Sequence, residues 1–286
     1  MKALADLHVH SSYSDGIMSP AELVSKAAEI GLGGIALTDH DTVDGIHEFM
    51  SAEPTSEVIR VPGIEISTEY DDQEVHILGY FVPYDAPRFR KRLLELEKAR
   101  KTRFPKMIER LRKLGFDITD DDVNQALKGV TSPGRPHLAR LLVMKGIAKD
   151  FNEAFEEWLL KGKPAYVRKE RMDTVEAVKV LRDVGAVPVV AHPLTIEVSD
   201  LRGLFAELLD NGLLGVEIHY EYSILPVVGT MSVLRDAISG LGLIESGGTD
   251  FHGDDIGVSM GSVTVPVTVI DNLREMAGNE YLKEHA

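Results

Sequence analysis

The chain has 286 residues, 44% of them hydrophobic, no cysteine and a formal net charge of −15. That length holds one large domain, or one domain with an insertion. The missing cysteines exclude a disulfide framework and any thiolate metal site, and the acidic balance argues against a protein that coats nucleic acid. The N-terminus carries one lysine and no long apolar run, and no stretch approaches the roughly 20 apolar residues of a membrane span. A cytoplasmic protein without a signal peptide is therefore expected.

In chain order, Ala3 to Leu7 and Gly34 to Leu37 are short apolar runs that read as buried strands. Between them Ser19-Pro20-Ala21-Glu22-Leu23 signals a helix start, with Ser at the cap, Pro at the first position and Glu at the third. A polar cluster closes each strand: Asp6-Leu7-His8-Val9-His10 and Thr38-Asp39-His40-Asp41. His8 and His10 are two apart on an extended chain, so both side chains point the same way. Two convergent imidazoles suit a divalent cation, because neutral imidazole offers a nitrogen lone pair. A helix is predicted over 42–50, a strand over 58–67 ending near Glu65, and a strand over 75–81 carrying His76.

From Arg88 to about Trp158 no convincing strand appears. Phe89, Leu93, Leu96, Phe104, Met107, Ile108 and Leu111 recur at helical spacing, with Pro105 a break or kink. Further helices are predicted over 120–127, 135–144 and 152–160. Alternation then resumes, with helices near Thr174, over 201–210 and over 232–239, and strands over 187–191, 214–218 and 243–245.

Alternating strand and helix predicts an α/β fold with a mainly parallel sheet, and about seven units suggest closure into a barrel. His8, His10, His40, Glu65, His192, His219, Asp250 and His252 all fall at or just past the ends of strand-like runs. In such barrels the catalytic groups collect on that face. A metal centre held by imidazole and carboxylate is expected, which suits manganese, zinc, iron or magnesium.

His8-x-His10, Thr38-Asp39-His40, His192-Pro193 and Thr249-Asp250-Phe251-His252 resemble, in order, the four motifs of the PHP (polymerase and histidinol phosphatase) family of phosphoesterases. The resemblance covers about 1–84 and 165–286. It implies a distorted (β/α)7 barrel with an inserted helical subdomain at 85–164, and two or three divalent metals on the C-terminal face. Carried over by motif, the metal ligands are His8, His10, Asp15, His40, Glu65 as a bridge, His76, His192, Asp250 and His252. The helical insert and its Gly134-Arg135-Pro136-His137 motif are similar to small family members that act on 3′,5′-nucleoside bisphosphates, nucleoside monophosphates or the 5′ end of short RNA.

Several carboxylates and imidazoles around two or three metals can lower the pKa of a bound water enough to attack phosphorus. Asp39 and His219 are the catalytic candidates. Asp39 and Asp41 either orient His40 or take a proton, or are solvated loop acids. His219 reads equally as ligand, proton donor or substrate contact. Arg135 and His137 sit in a turn that opens a helix, a reasonable anion site, or else are a surface side chain and a local cap. Ser12 joins them as a candidate substrate contact. The segment 88–113 holds twelve lysines and arginines against three glutamates, a local charge of +9 that leaves −24 on the rest. It steers a polyanion or is a solvated face; Lys169 and its neighbours are weaker candidates. Trp158 reads as packing, and His47 and His285 as incidental.

The expectation is thus a manganese-type phosphoesterase for a small nucleotide or short RNA, with no membrane or duplex-DNA partner. C–N hydrolysis of the amidohydrolase type and an RNA-binding module with a retained metal are the alternatives.

Overall fold

β1 (Leu4–Val9) leads to α1 (Pro20–Ile30) and β2 (Gly34–Leu37). The α1 start is the capping box read from sequence: Ser19 Oγ accepts from the Glu22 N–H at 3.3 Å, and Glu22 Oε2 accepts from the Ser19 N–H at 2.7 Å. Leu23, Val24 and Ala27 of α1 are fully buried in one cluster with Ile35 and Leu37 of β2. α2 (Ile46–Ser51), β3 (Ile59–Tyr70) and β4 (Gln73–Tyr80) follow. The computed structural model describes residues 3–53, 58–130, 132–169, 171–222 and 227–278, and His285 lies outside them.

The helical stretch comprises α3 (Pro87–Lys113), α4 (Asp120–Ala126), α5 (Arg135–Met144) and α6 (Phe151–Ala154), the last running into a π-helical turn over Phe155–Leu159. α3 runs unbroken through Pro105, so of the break or kink expected there the break is corrected. A proline inside a helix costs ~3 kcal/mol. Phe104, Met107, Ile108 and Leu111, all buried on one stripe, offset it, since each such side chain contributes ~1.5–3 kcal/mol. These residues form a core with Leu138, Leu141, Leu142 and Leu159, separate from the barrel's. Phe89, Leu93 and Leu96 pack instead in the barrel's cluster. The first turns of α3 therefore belong to the barrel's core, and the division at 85–164 stands as a proposal that fits the packing best from about Phe104 on.

The chain returns through β5 (Met172–Asp173), α7 (Thr174–Asp183), β6 (Val187–Val190), α8 (Leu201–Asp210), β7 (Gly215–Tyr220), α9 (Met231–Ile238), β8 (Ile244–Gly248), β9 (Val265–Pro266) and α10 (Thr268–Met276). The sheet order is β8-β7-β6-β4-β3-β2-β1-β9, with β5 beside β3. The sheet nearly closes into a barrel: the His10 N–H donates to Phe251 O at 2.9 Å, joining the end of β1 to the segment after β8. Two elements depart from the parallel expectation. β4 runs antiparallel to β3 and β6, and β9 antiparallel to β1. The reversal of β4 explains why His76 lies inside its strand rather than at the C-terminal end; it sits opposite Ser67 of β3. No described helix is long and apolar enough to cross a membrane.

Candidate metal centre

Asp6 and His8 alternate along β1, His10 follows its last residue, and all three are fully buried. Asp6 anchors the loop after β8. Its carboxylate accepts from the Thr249 N–H at 3.0 Å, the Thr249 hydroxyl at 2.6 Å and the Gly261 N–H at 2.9 Å. Burial raises its carboxyl to about 6 despite those bonds. Gly248 is required where β8 passes β1, because a Cβ there would lie 2.4 Å from the His8 nitrogen. Asp41, His192 and Asp250 adopt positive φ (56°, 30° and 54°) just past their strands, a strain that clusters at functional sites.

Glu65 of β3 stands at the middle of the donors. Its Oε2 lies 3.4 Å from His8 Nε2, 3.2 Å from His10 Nε2 and 3.0 Å from His40 Nδ1. Its Oε1 lies 2.8 Å from His76 Nδ1 and 3.1 Å from His192 Nε2. Asp250 Oδ1 is 3.2 Å from His8 Nε2 and 3.0 Å from His10 Nε2, and Asp15 Oδ1 is 3.2 Å from His252 Nε2. Among the described residues three donor groups result: His10, Asp15, His40 and His252; His8, His10, Glu65 and Asp250; His40, Glu65 and His76. Within each, the donor atoms lie within 4.8 Å of one another.

The chemistry of these atoms fits divalent cations. His8 Nε2, His10 Nε2, His40 Nδ1, Asp15 Oδ1, Glu65 Oε2 and Asp250 Oδ1 are buried without a hydrogen-bond partner among the described residues. A buried polar atom left unsatisfied costs ~1–3 kcal/mol, and six converging in one place are what coordination would satisfy. Burial alone would raise the Glu65 carboxyl, but the imidazoles of His40, His76 and His8 hold it well below the usual range. Asp15 and Asp250 are likewise held low against burial, by His40 and His252 and by His8 and His252. Burial would lower His10, yet Asp250 and Glu65 raise it to about 10.

A PHP domain model matches residues 6–159. The chain belongs to the PHP domain family. It is 34% identical over 189 residues to the 5'-3' exoribonuclease of Haemophilus influenzae, covering 66% of this chain and 68% of that protein. It is 29% identical over 266 residues to the 3',5'-nucleoside bisphosphate phosphatase of Chromobacterium violaceum, covering 88% and 90%. Among solved structures it resembles a putative metal-dependent phosphoesterase of Bifidobacterium adolescentis, at 26% identity, 96% coverage of both chains and a TM-score of 0.87. An amidohydrolase from Chromobacterium violaceum with bound sulfate and no metal matches at 27% identity, 95% and 96% coverage and a TM-score of 0.80. This PHP protein is a metal-dependent phosphoesterase, hence a hydrolase.

Around the donors, a second set of groups fixes them. Glu217 Oε1 pairs with His8 Nδ1 at 3.0 Å, and its Oε2 accepts from the backbone N–H of His192 at 2.7 Å, so one carboxylate orients the His8 imidazole and holds the backbone that carries His192. Tyr220 donates its hydroxyl to Asp250 Oδ2 at 2.8 Å. The expectation for His219 is corrected. A register shift in β7 between Glu217 and His219 turns Tyr220 toward the centre and leaves His219 exposed. Asp39 is corrected as well: it accepts from the Ser11 N–H at 2.8 Å and from the Ser11 and Ser14 hydroxyls at 2.6 and 2.5 Å. It braces the turn after β1 rather than meeting a substrate.

A cavity of about 540 Å³ opens beside the donors, lined among others by Arg100, Arg103, Arg135, Phe155 and Lys169. Arg135 reaches it but is held by Glu74 at 3.3 Å. Asp41 is neither proton acceptor nor solvated: it accepts from Arg100 Nε at 2.6 Å, from the Ser67 N–H at 2.8 Å and from Lys169 Nζ. Sequence reasoning missed Arg100, Arg103 and Glu74; their signal lies in the basic run and the acidic strand start, but only the fold brings them here. Ser12 does not line the cavity; it is half-buried and donates its N–H to Met18 O at 2.8 Å. Trp158 packs edge-on against Phe116, and His47 is exposed beside Asp85.

His137, too, is absent from the lining and acts as a cap, its Nδ1 accepting from the Gly134 N–H at 3.1 Å. Burial lowers it to about 4. Because its folded value lies below the unfolded one, it contributes fully above about pH 6.5, and that contribution is lost as pH falls toward 4. His137→Gln keeps an acceptor at the capping position without titrating. The variant is expected to flatten the loss of stability between pH 6.5 and 4, which in the parent amounts to at most about 3 kcal/mol from this group. Urea midpoints at both ends of that window measure it; parallel pH profiles for parent and variant would contradict it.

Proposed function

We propose that this PHP protein removes a phosphate from a small nucleotide — a 3′,5′-nucleoside bisphosphate, a nucleoside monophosphate or the 5′ end of a short RNA — with two or three divalent ions, manganese first among them. The observation that carries the reading is the convergence of nine imidazoles and carboxylates beside a cation-lined cavity of about 540 Å³. The names of the curated relatives, a bisphosphate phosphatase and an exoribonuclease, point to the same substrates.

His8, His10, Asp15, His40, Glu65, His76, His192, Asp250 and His252 would hold the ions. Bound there, divalent ions supply an activated water and neutralise charge on the transferring phosphoryl group. Glu65 holds the donor groups in one frame, Glu217 fixes the ligating nitrogen of His8, and Tyr220 fixes Asp250. The cavity's arginines and lysine face an anionic substrate, which disfavours the C–N hydrolase reading.

The test is a panel of adenosine 3′,5′-bisphosphate, adenosine monophosphates, a 5′-phosphorylated oligonucleotide and 4-nitrophenyl phosphate, each assayed with manganese, zinc and magnesium. Nucleotides should be favoured over the aryl phosphate. Elemental analysis of manganese-loaded protein should give two or three metals per chain. Equal turnover of aryl phosphate would overturn the substrate class; full activity at one metal or fewer would overturn the multinuclear centre.

A further inference from the structure

Four cations line the cavity, Arg100, Arg103, Arg135 and Lys169, and they differ in how they are paired. Arg100 and Lys169 share Asp41. Arg135 takes Glu74, which also lies 2.7 Å from Arg171 Nη2. Arg103 is different: among the described residues no carboxylate lies within ion-pair distance of it. Its Nε donates to Val167 O at 2.7 Å, and its guanidinium lies 5.5 Å from the Tyr166 ring centroid. Its Nη2 is buried with no partner among the described residues, and the residue is only 9% exposed. A guanidinium presents its donors in a planar fork, and leaving one buried and unsatisfied is costly. The neighbouring Arg135, Arg171 and Arg100 add to burial in lowering its pKa, to about 9. Three observations therefore agree: a guanidinium with one buried donor unsatisfied, a setting in which Arg135, Arg171 and Arg100 face the single carboxylate of Glu74, and a cavity that Arg103 lines with Arg100 and Arg135.

Metal ions can engage only the phosphate being cleaved, so a second phosphate needs a separate partner. Arg135, the candidate from sequence, is already compensated by Glu74 and lies over the Phe155 ring at 5.9 Å. We propose that Arg103 anchors the non-scissile phosphate of the substrate and so sets the preference for nucleotides that carry a second phosphate. This rests on the nucleotide reading above. It places the specificity determinant on α3, in the basic run, rather than in the Gly134-Arg135 turn.

The experiment compares the parent with Arg103→Met and Arg103→Lys. Its main readout is the ratio of kcat/KM for adenosine 3′,5′-bisphosphate to that for 4-nitrophenyl phosphate. In Arg103→Met this ratio should fall roughly 10- to 100-fold, the scale of a lost charge-assisted contact, and Arg103→Lys should recover part of it. A 5′-phosphorylated dinucleotide separates the two sources of a second phosphate. A parallel loss there means that Arg103 also holds the linking phosphate of RNA; a loss on the bisphosphate alone means that it holds a terminal one. Calorimetry on chelator-treated protein gives an activity-independent readout: adenosine 5′-monophosphate should bind at least tenfold more weakly to Arg103→Met. A selectivity ratio within threefold of the parent, or equal losses on both substrates with unchanged nucleotide binding, would overturn the proposal. The parent's own panel tests the nucleotide reading separately, since it involves no change at Arg103.

Discussion

Replacing Glu65 by glutamine is expected to lower kcat/KM on a phosphate monoester about a thousandfold or more, a change of about 4 kcal/mol in the barrier, while the protein remains folded. The side chain keeps its shape and loses its charge. Glu65 approaches five imidazoles, those of His8, His10, His40, His76 and His192, and it belongs to two of the three donor groups. The metal content of Glu65→Gln should fall below that of the parent when both are loaded identically. Its thermal unfolding in the metal-free state should stay cooperative at a lowered midpoint, because the imidazoles that hold the Glu65 carboxyl low lose their counter-charge. Activity within threefold of the parent, a barrier change under about 1 kcal/mol, would refute the bridging assignment.

The second large effect concerns stability. Asp41→Asn is expected to destabilise the protein by about 3–5 kcal/mol, the usual cost of leaving buried charges without their counter-ion. Asp41, Arg100 and Lys169 are 0%, 7% and 3% exposed, so solvent cannot replace the lost carboxylate. Burial would raise the Asp41 carboxyl, but Lys169 and Arg100 hold it well below the usual carboxylate range. Asparagine tolerates the positive φ of this position, so the change isolates charge from backbone strain. Urea unfolding measures the loss, and adding Lys169→Met should return part of it by removing one of the stranded cations. A loss under 1 kcal/mol would mean that the triad is solvated in solution.

How much of this was legible in the sequence follows from what each kind of signal can carry. His8, His10, His40, Glu65, His192, Asp250 and His252 were visible because each follows an apolar run, and strand ends share a face in a barrel. His76 lay inside its strand because periodicity does not report direction, and β4 turned out antiparallel. His219 was misread for a related reason: alternation assumes regular pairing, and one shift in β7 exchanged His219 for Tyr220. Asp39 and Asp41 looked alike beside His40, yet one meets serines and the other meets cations. That difference depends on Arg100 and Lys169, which lie 59 and 128 residues further along the chain. The basic run was legible as charge, but which of its twelve cations face the site depends on how α3 docks. β9 and α10 were not anticipated, since a two-residue strand such as β9 leaves no periodic signal.

The Asp41 triad also limits how this enzyme can be re-engineered. Asp41 donates its own N–H to Glu65 O at 2.9 Å, follows His40 directly and receives Arg100 from α3. The helical segment is therefore no detachable cassette that could be exchanged between relatives by joining its ends. A graft that brings an α3 without a cation at position 100 removes one of the two cations that hold a buried carboxylate under the metal site. Deleting the segment outright does the same and leaves Lys169 as its sole counter-ion among the described residues. Chimeras of these proteins should fold only when residues 41, 100 and 169 travel together, so the workable crossover points are set by a charge triad on three separate segments rather than by the visible boundary between barrel and helices.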